Sequence, residues 1–164
     1  MDSEQALAVL SQALKLEREG RAFYLQAAKA TVDAKGKEVF ASLAADEQKH
    51  AEMILRQLDA VEGNGAFVPL PDVNVIPIDA NARIFPLSAK EIRSKVGVDS
   101  NALEAIQVAL ENEVRSYDLY REASQETDDL VAKALYTWLV QAEHTHFELL
   151  MSNWQSLSGM GGWV

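Results

Sequence analysis

The chain has 164 residues, 48% of them apolar and 24% charged, the balance of one globular domain long enough to bury a core. With 25 acidic against 15 basic residues its formal charge is −10, so neither nucleic acid nor an anionic membrane is expected as a partner, because both need a basic footprint. There is no cysteine, which excludes disulfides, thiolate zinc sites and thiolate-bound iron within this sequence.

The opening residues MDSEQALAVL lack a basic stretch followed by an apolar run, so no secretory signal is expected. No apolar run is long enough for a membrane span, and cytoplasm is the expected compartment. A first helix is predicted from about Ser3 to Ala30, with Leu7, Leu10, Leu14, Glu17 and Tyr24 recurring at three- and four-residue steps. Asp2 and Gln5 have capping-box spacing at its start. After a polar turn at Thr31–Asp33, a second helix is predicted to about Val61. It carries Phe40, Leu43, Glu47, His50, Ile54 and Leu58 on one stripe and is stopped by Gly63-Asn64-Gly65.

Residues 63–100 hold all four prolines and read as a crossover running the length of a bundle. Within it, residues 73–78 could extend, and Ser88-Ala-Lys-Glu91 opens a short helix ending near Gly97. A third helix is predicted from about Asn101 to Ser124. A fourth follows from about Asp128 to Gln155, capped by Thr127. The expected organisation is an all-α four-helix bundle over residues 1–157, with residues 158–164 a flexible tail on the strength of its glycines.

Shifting the sequence by 96 residues aligns 13–58 with 109–154 without a gap, and 12 of those 46 positions are identical. The identities include Leu14/Leu110, Glu17/Glu113, Tyr24/Tyr120, Asp33/Asp129, Leu43/Leu139, Glu47/Glu143 and His50/His146. Two copies of one helical hairpin are therefore joined by the crossover. Glu17 and Glu113 each interrupt an apolar stripe, and Glu47–His50 and Glu143–His146 do so again at a three-residue spacing that puts each pair on one helix face. Charged groups in the middle of a core stripe need partners. Glu17 lies about 22 Å of helix before the first turn and Glu47 the same length after it, so all six side chains converge at mid-bundle.

Four buried carboxylates cannot all stay ionised unaided. Two divalent cations would neutralise them. Hard oxygens with two imidazoles and no sulfur suit iron, with manganese or zinc as possible substitutes, better than copper(I), magnesium or calcium. One Glu from each of two helices and Glu-x-x-His from each of the others is the ligand pattern of di-iron carboxylate bundles.

These residues, beginning with Leu16-Glu17-Arg-Glu-Gly20-Arg-Ala-Phe23-Tyr24 and Glu47-Gln-Lys-His50 and repeated at Glu113 and Glu143–His146, resemble a rubrerythrin-type ferritin-like protein over about residues 3–155. The resemblance implies a ferritin-like bundle with a di-iron site. Glu47 and Glu143 would bridge the metals, Glu17 and Glu113 would be terminal carboxylates, and His50 and His146 terminal nitrogens. It also implies reduction of hydrogen peroxide or dioxygen with electrons from an external donor protein, since the family's cysteine-bound iron domain is missing, and assembly as a homodimer. The family's extra carboxylate one turn after the third-helix Glu is here Ser116. Ferroxidase or iron-binding behaviour without peroxidase turnover, and a bundle merely stabilised by metal, are the alternatives.

Other residues have plainer expectations. Tyr24 and Tyr120 share the site's face, with core packing preferred over a bond to the site. Asp46 could orient a histidine, although its repeat partner is Ala142. His144, Glu52 and Glu148 read as surface, and Trp138, Phe147 and Trp154 as packing or subunit contacts.

Overall fold

A computed structural model describes residues 1–71, 101–159 and 161–164. Four helices run through them: α1 (Ser3–Ala30), α2 (Ala34–Asn64), α3 (Asn101–Glu126) and α4 (Leu130–Ser158). They form a ferritin-like four-helix bundle. α1 packs on α2 and α3 on α4, and the two hairpins approach each other most closely along α1 and α3. No helix among the described residues is long and apolar enough to cross a membrane. The expected extended piece at 73–78 and the short helix ending near Gly97 lie outside the described residues.

The helix ends follow their local chemistry. Asp2 caps α1 with the full reciprocal box to Gln5. Gly65, at φ 71°, adopts the left-handed conformation that ends α2, donating its N–H to the Val61 carbonyl. Asp33 and Asp129, partners in the repeat, cap α2 and α4 by accepting backbone N–H groups at 2.9–3.0 Å. The expectation that Thr127 caps α4 is thus corrected. Its hydroxyl instead accepts from the Asp129 N–H, one step before the helix, while the Asp129 carboxylate reaches two orphan donors. Inward residues Leu10, Ala13, Phe40, Leu43 and Ile54, with Ile106, Ala109, Leu110, Leu139 and Leu150, are fully buried and fill the core above and below the middle of the bundle.

The tail departs from expectation. Trp163 is buried against Phe40, edge to face at 5.3 Å, and sits over Gly36, where a Cβ would lie 2.5 Å from the indole. Asn153 accepts the Val164 N–H, and the Ser156 hydroxyl donates to the Gly162 carbonyl. The same construction appears 96 residues earlier. Gln57 both donates to and accepts from the Val68 backbone, and Phe67 meets Tyr136 edge to face. The repeat therefore continues through Gly65/Gly161, Phe67/Trp163 and Val68/Val164. A buried amide at the end of each hairpin grips the strand-like segment that follows it. Replacing Trp163 with Ala empties a large part of that packing and should cost about 3 kcal/mol, read as a fall in the unfolding midpoint. An unchanged midpoint would mean the indole is held only at the surface.

Candidate metal centre

All six sequence-predicted side chains meet in the core. Glu17, Glu47, His50, Glu113, Glu143 and His146 are each at most 5% exposed. They fall into two groups whose donor atoms lie within 4.8 Å of one another: Glu17, Glu47, His50 and Glu143, and Glu47, Glu113, Glu143 and His146. Glu47 and Glu143 belong to both. His50 Nδ1 lies 3.2 Å from Glu17 Oε2 and 3.5 Å from Glu47 Oε2 and Glu143 Oε1. His146 Nδ1 lies 3.4 Å from Glu47 Oε1 and from Glu113 Oε2. The two imidazoles stack at 5.4 Å and 21°, so the repeat survives as a near two-fold arrangement of side chains.

The charges within the cluster are distributed unequally. Burial, reinforced by sharing a proton with Glu47 and by its charge, pushes the Glu17 carboxyl up to about 8. Burial opposes ionisation of Glu47 too, but hydrogen bonds from Glu17, His146 and His50 outweigh it and hold that carboxyl below the usual range. Burial and the surrounding carboxylates raise Glu143 well above its ordinary value. Burial disfavours charge on both imidazoles, yet the facing carboxylates prevail. They raise His50 to about 10 and His146 to about 11. The protein thus gathers more negative charge than it can hold without protons or cations.

Three atoms test whether a metal suits the site. Glu113 Oε2, Glu143 Oε1 and His146 Nδ1 are buried with no hydrogen-bond partner among the described residues. His146 Nδ1 and Glu113 Oε2 are close enough to attract but are not aligned to bond. Orphaned lone-pair donors of this kind, converging from different helices, are expensive unless a cation takes them. The donor set fits a metal.

Surrounding residues add to what the sequence indicated. Tyr24 and Tyr120, expected chiefly to pack, donate crosswise from one hairpin to the other: the Tyr24 hydroxyl to Glu113 Oε1 and the Tyr120 hydroxyl to Glu17 Oε1. Removing either hydroxyl leaves a buried carboxylate oxygen without its donor. Tyr24→Phe and Tyr120→Phe should each weaken metal binding about tenfold, by similar amounts, as supporting hydrogen bonds to ligands generally do. Competition with a chromophoric chelator measures this, and unchanged affinity would reduce both residues to packing. Asp46 Oδ2 lies 3.7 Å from His146 Nε2, with its other oxygen 2.7 Å from Lys49, while His50 has the edge of Trp138 beside it at 5.2 Å. The two histidines therefore have different outer neighbours, and Trp138 is partly buried against the site. His144 reaches Glu148, outside the cluster.

A four-helix bundle with glutamates and histidines converging in this way has the make-up of a metal-binding carboxylate bundle. The chain belongs to the rubrerythrin family, whose sequence pattern it matches over residues 8–153. A hypothetical protein from Pyrococcus furiosus has a similar structure, with a TM-score of 0.68 and 22% identity over 95% of this chain and 92% of that one. That likeness shows the fold. No curated protein matches the sequence significantly.

Proposed function

We propose that the protein holds two iron ions in this cluster and reduces hydrogen peroxide with electrons from an external donor protein. The observation that carries the reading is the pair of donor groups sharing Glu47 and Glu143. Glu17 and His50 would complete one metal's ligands, and Glu113 and His146 the other's. A bound pair of redox-active ions supplies two electrons to an O–O bond, matching the two that hydrogen peroxide needs, with two protons, to become two waters. The side chains do the rest. Tyr24 and Tyr120 hold Glu113 and Glu17 in orientation by donating their hydroxyls to one oxygen of each. The apolar layers around the cluster limit access of water.

Ferroxidase chemistry with dioxygen is the second reading, favoured by Ser116 standing where the family has a carboxylate. A homodimer is part of the same proposal. Light scattering should give twice the 18.1 kDa of the chain, and a monomer mass would remove it.

Anaerobic loading should give two Fe(II) per chain, and stopped-flow mixing should show faster oxidation by hydrogen peroxide than by dioxygen. One metal or none after reconstitution would defeat the dinuclear site. Dioxygen reacting as fast would transfer the assignment to a ferroxidase.

A further inference from the structure

The six side chains of the cluster are each at most 5% exposed, so a donor protein finds almost no surface of theirs to touch. Every electron bound for the cluster must cross a layer of protein. Electron tunnelling falls steeply with distance and is far weaker across a gap than through packed, conjugated side chains. Tyr24 and Tyr120 are almost wholly enclosed and turn their hydroxyls inward to Glu113 and Glu17, so neither leads outward. Trp138 does. Its indole meets the His50 ring at 84°, with centroids 5.2 Å apart, and the residue remains partly exposed on the bundle's surface.

The repeat marks this ring as an addition to the hairpin. At the 96-residue offset Trp138 corresponds to Ser42 and His50 to His146. An equivalent ring would lie against His146, but Ser42 is exposed and its hydroxyl donates to the Val39 carbonyl of its own helix. His146 has Asp46 as its outer neighbour instead, at 3.7 Å, with Lys49 on the same carboxylate. One ring suffices for both halves of the site, because the His50 and His146 imidazoles stack at 5.4 Å and 21°. An aliphatic side chain would fill the place as well, whereas a conjugated ring also couples the surface to a ligand.

We propose that Trp138 is the point of entry for electrons: the external one-electron donor brings its redox group over the exposed part of the indole, and the electron passes through that ring and His50 to the cluster. The inference rests on the metal reading above and supplies the place where the donor engages. Trp138 acts through His50 as a bridge and is itself neither oxidised nor reduced. Each donor molecule loses one electron. Two such transfers return the two electrons that one hydrogen peroxide removes, together with two protons from water, as it becomes two waters. The donor is therefore a carrier whose redox group lies close to its own surface.

The test follows the two half-reactions of the iron-loaded protein separately by stopped flow, with the methyl viologen radical cation as the one-electron donor. Trp138→Leu should slow reduction of the oxidised protein about tenfold or more, as the loss of a ligand's outer neighbour generally does. Its iron content and its oxidation by hydrogen peroxide should match the parent's, which a merely structural role would not predict. Trp138→Phe keeps a ring and the packing, so it guards against misfolding and should show a smaller slowing of reduction alone. Without metal, the methyl viologen dication should quench indole fluorescence more in the parent than in Trp138→Phe, because a planar cation reaches this ring. Trp163→Phe should leave reduction unchanged. Slowing there but not in Trp138→Leu would send electrons along Trp163, Phe40 and Tyr24 and overturn the assignment. Unchanged reduction in both Trp138 variants, or no quenching that depends on Trp138, overturns it while leaving the metal site intact. A parent protein that takes up no iron overturns the metal reading, and the entry point with it.

Discussion

Loading a metal-free preparation at pH 7 should release at least three protons per chain. Glu17 is pushed up to about 8, His50 to about 10 and His146 to about 11, so all three carry protons at neutrality. Every one of them must lose its proton to bind a metal. Glu143, also raised, can add to the count. Because these groups lie within a few ångströms they titrate as a unit, and the release belongs to the cluster rather than to one residue. Three protons expelled make the joint metal affinity rise roughly a thousandfold per pH unit below about pH 8, since each proton contributes about 1.4 kcal/mol per unit. Calorimetry in two buffers of different ionisation enthalpy counts the protons directly. Release of one proton or none, with affinity flat between pH 6 and 8, would show that the carboxylates and imidazoles are already bare before metal arrives.

Most of the fold was legible in the sequence because the repeat constrains it twice. Glu17, Glu47 and His50 interrupt their stripes at the heights where Glu113, Glu143 and His146 interrupt theirs, and only convergence satisfies both sets. Asp2 and Gly65 also act as their types predict. What was missed depends on contacts between elements. Nothing local distinguishes Thr127 from Asp129 as a cap, and the nearer side chain decides. Tyr24 and Tyr120 look like core residues, and their crosswise bonds exist only once α1 and α3 are side by side. The tail was misjudged on its glycines, although a signal was there. The 96-residue match extends past the helices to Gly65/Gly161 and Val68/Val164, with aromatic Phe67 matched by Trp163. Composition suggested freedom, while the repeat specified a docked segment.

Glu17→Gln should make the metal-free protein more stable and the metal-bound protein less so. The Glu17 carboxyl is raised from 4.5 to about 8 on folding. Such a group supports the fold fully below pH 4.5, and that support is lost as pH rises through 8. By pH 7 the loss amounts to roughly 3 kcal/mol. Glutamine has the shape of the protonated acid and never ionises, so it avoids the loss. Its amide oxygen can still accept from Tyr120, but it gives up the charge-assisted contact with His50 at 3.2 Å that Glu17 gains as it ionises toward pH 8. The net gain should then be about 2 kcal/mol at pH 7 to 8, shrinking toward zero near pH 4. Denaturant titrations of both metal-free proteins at the two pH values measure it. With metal present the order reverses, because an amide is a poor ligand and a hundredfold loss of affinity removes about 2.7 kcal/mol of stabilisation by mass action. Glu113→Gln should lose metal to a similar extent, as the repeat places it equivalently. A variant less stable than the parent at pH 8 without metal would mean that the ionic contacts of Glu17 outweigh its desolvation. The cluster would then stabilise the bundle by itself. A crossover of the two stability curves on adding metal would instead show that the core tolerates these carboxylates only because a cation takes them.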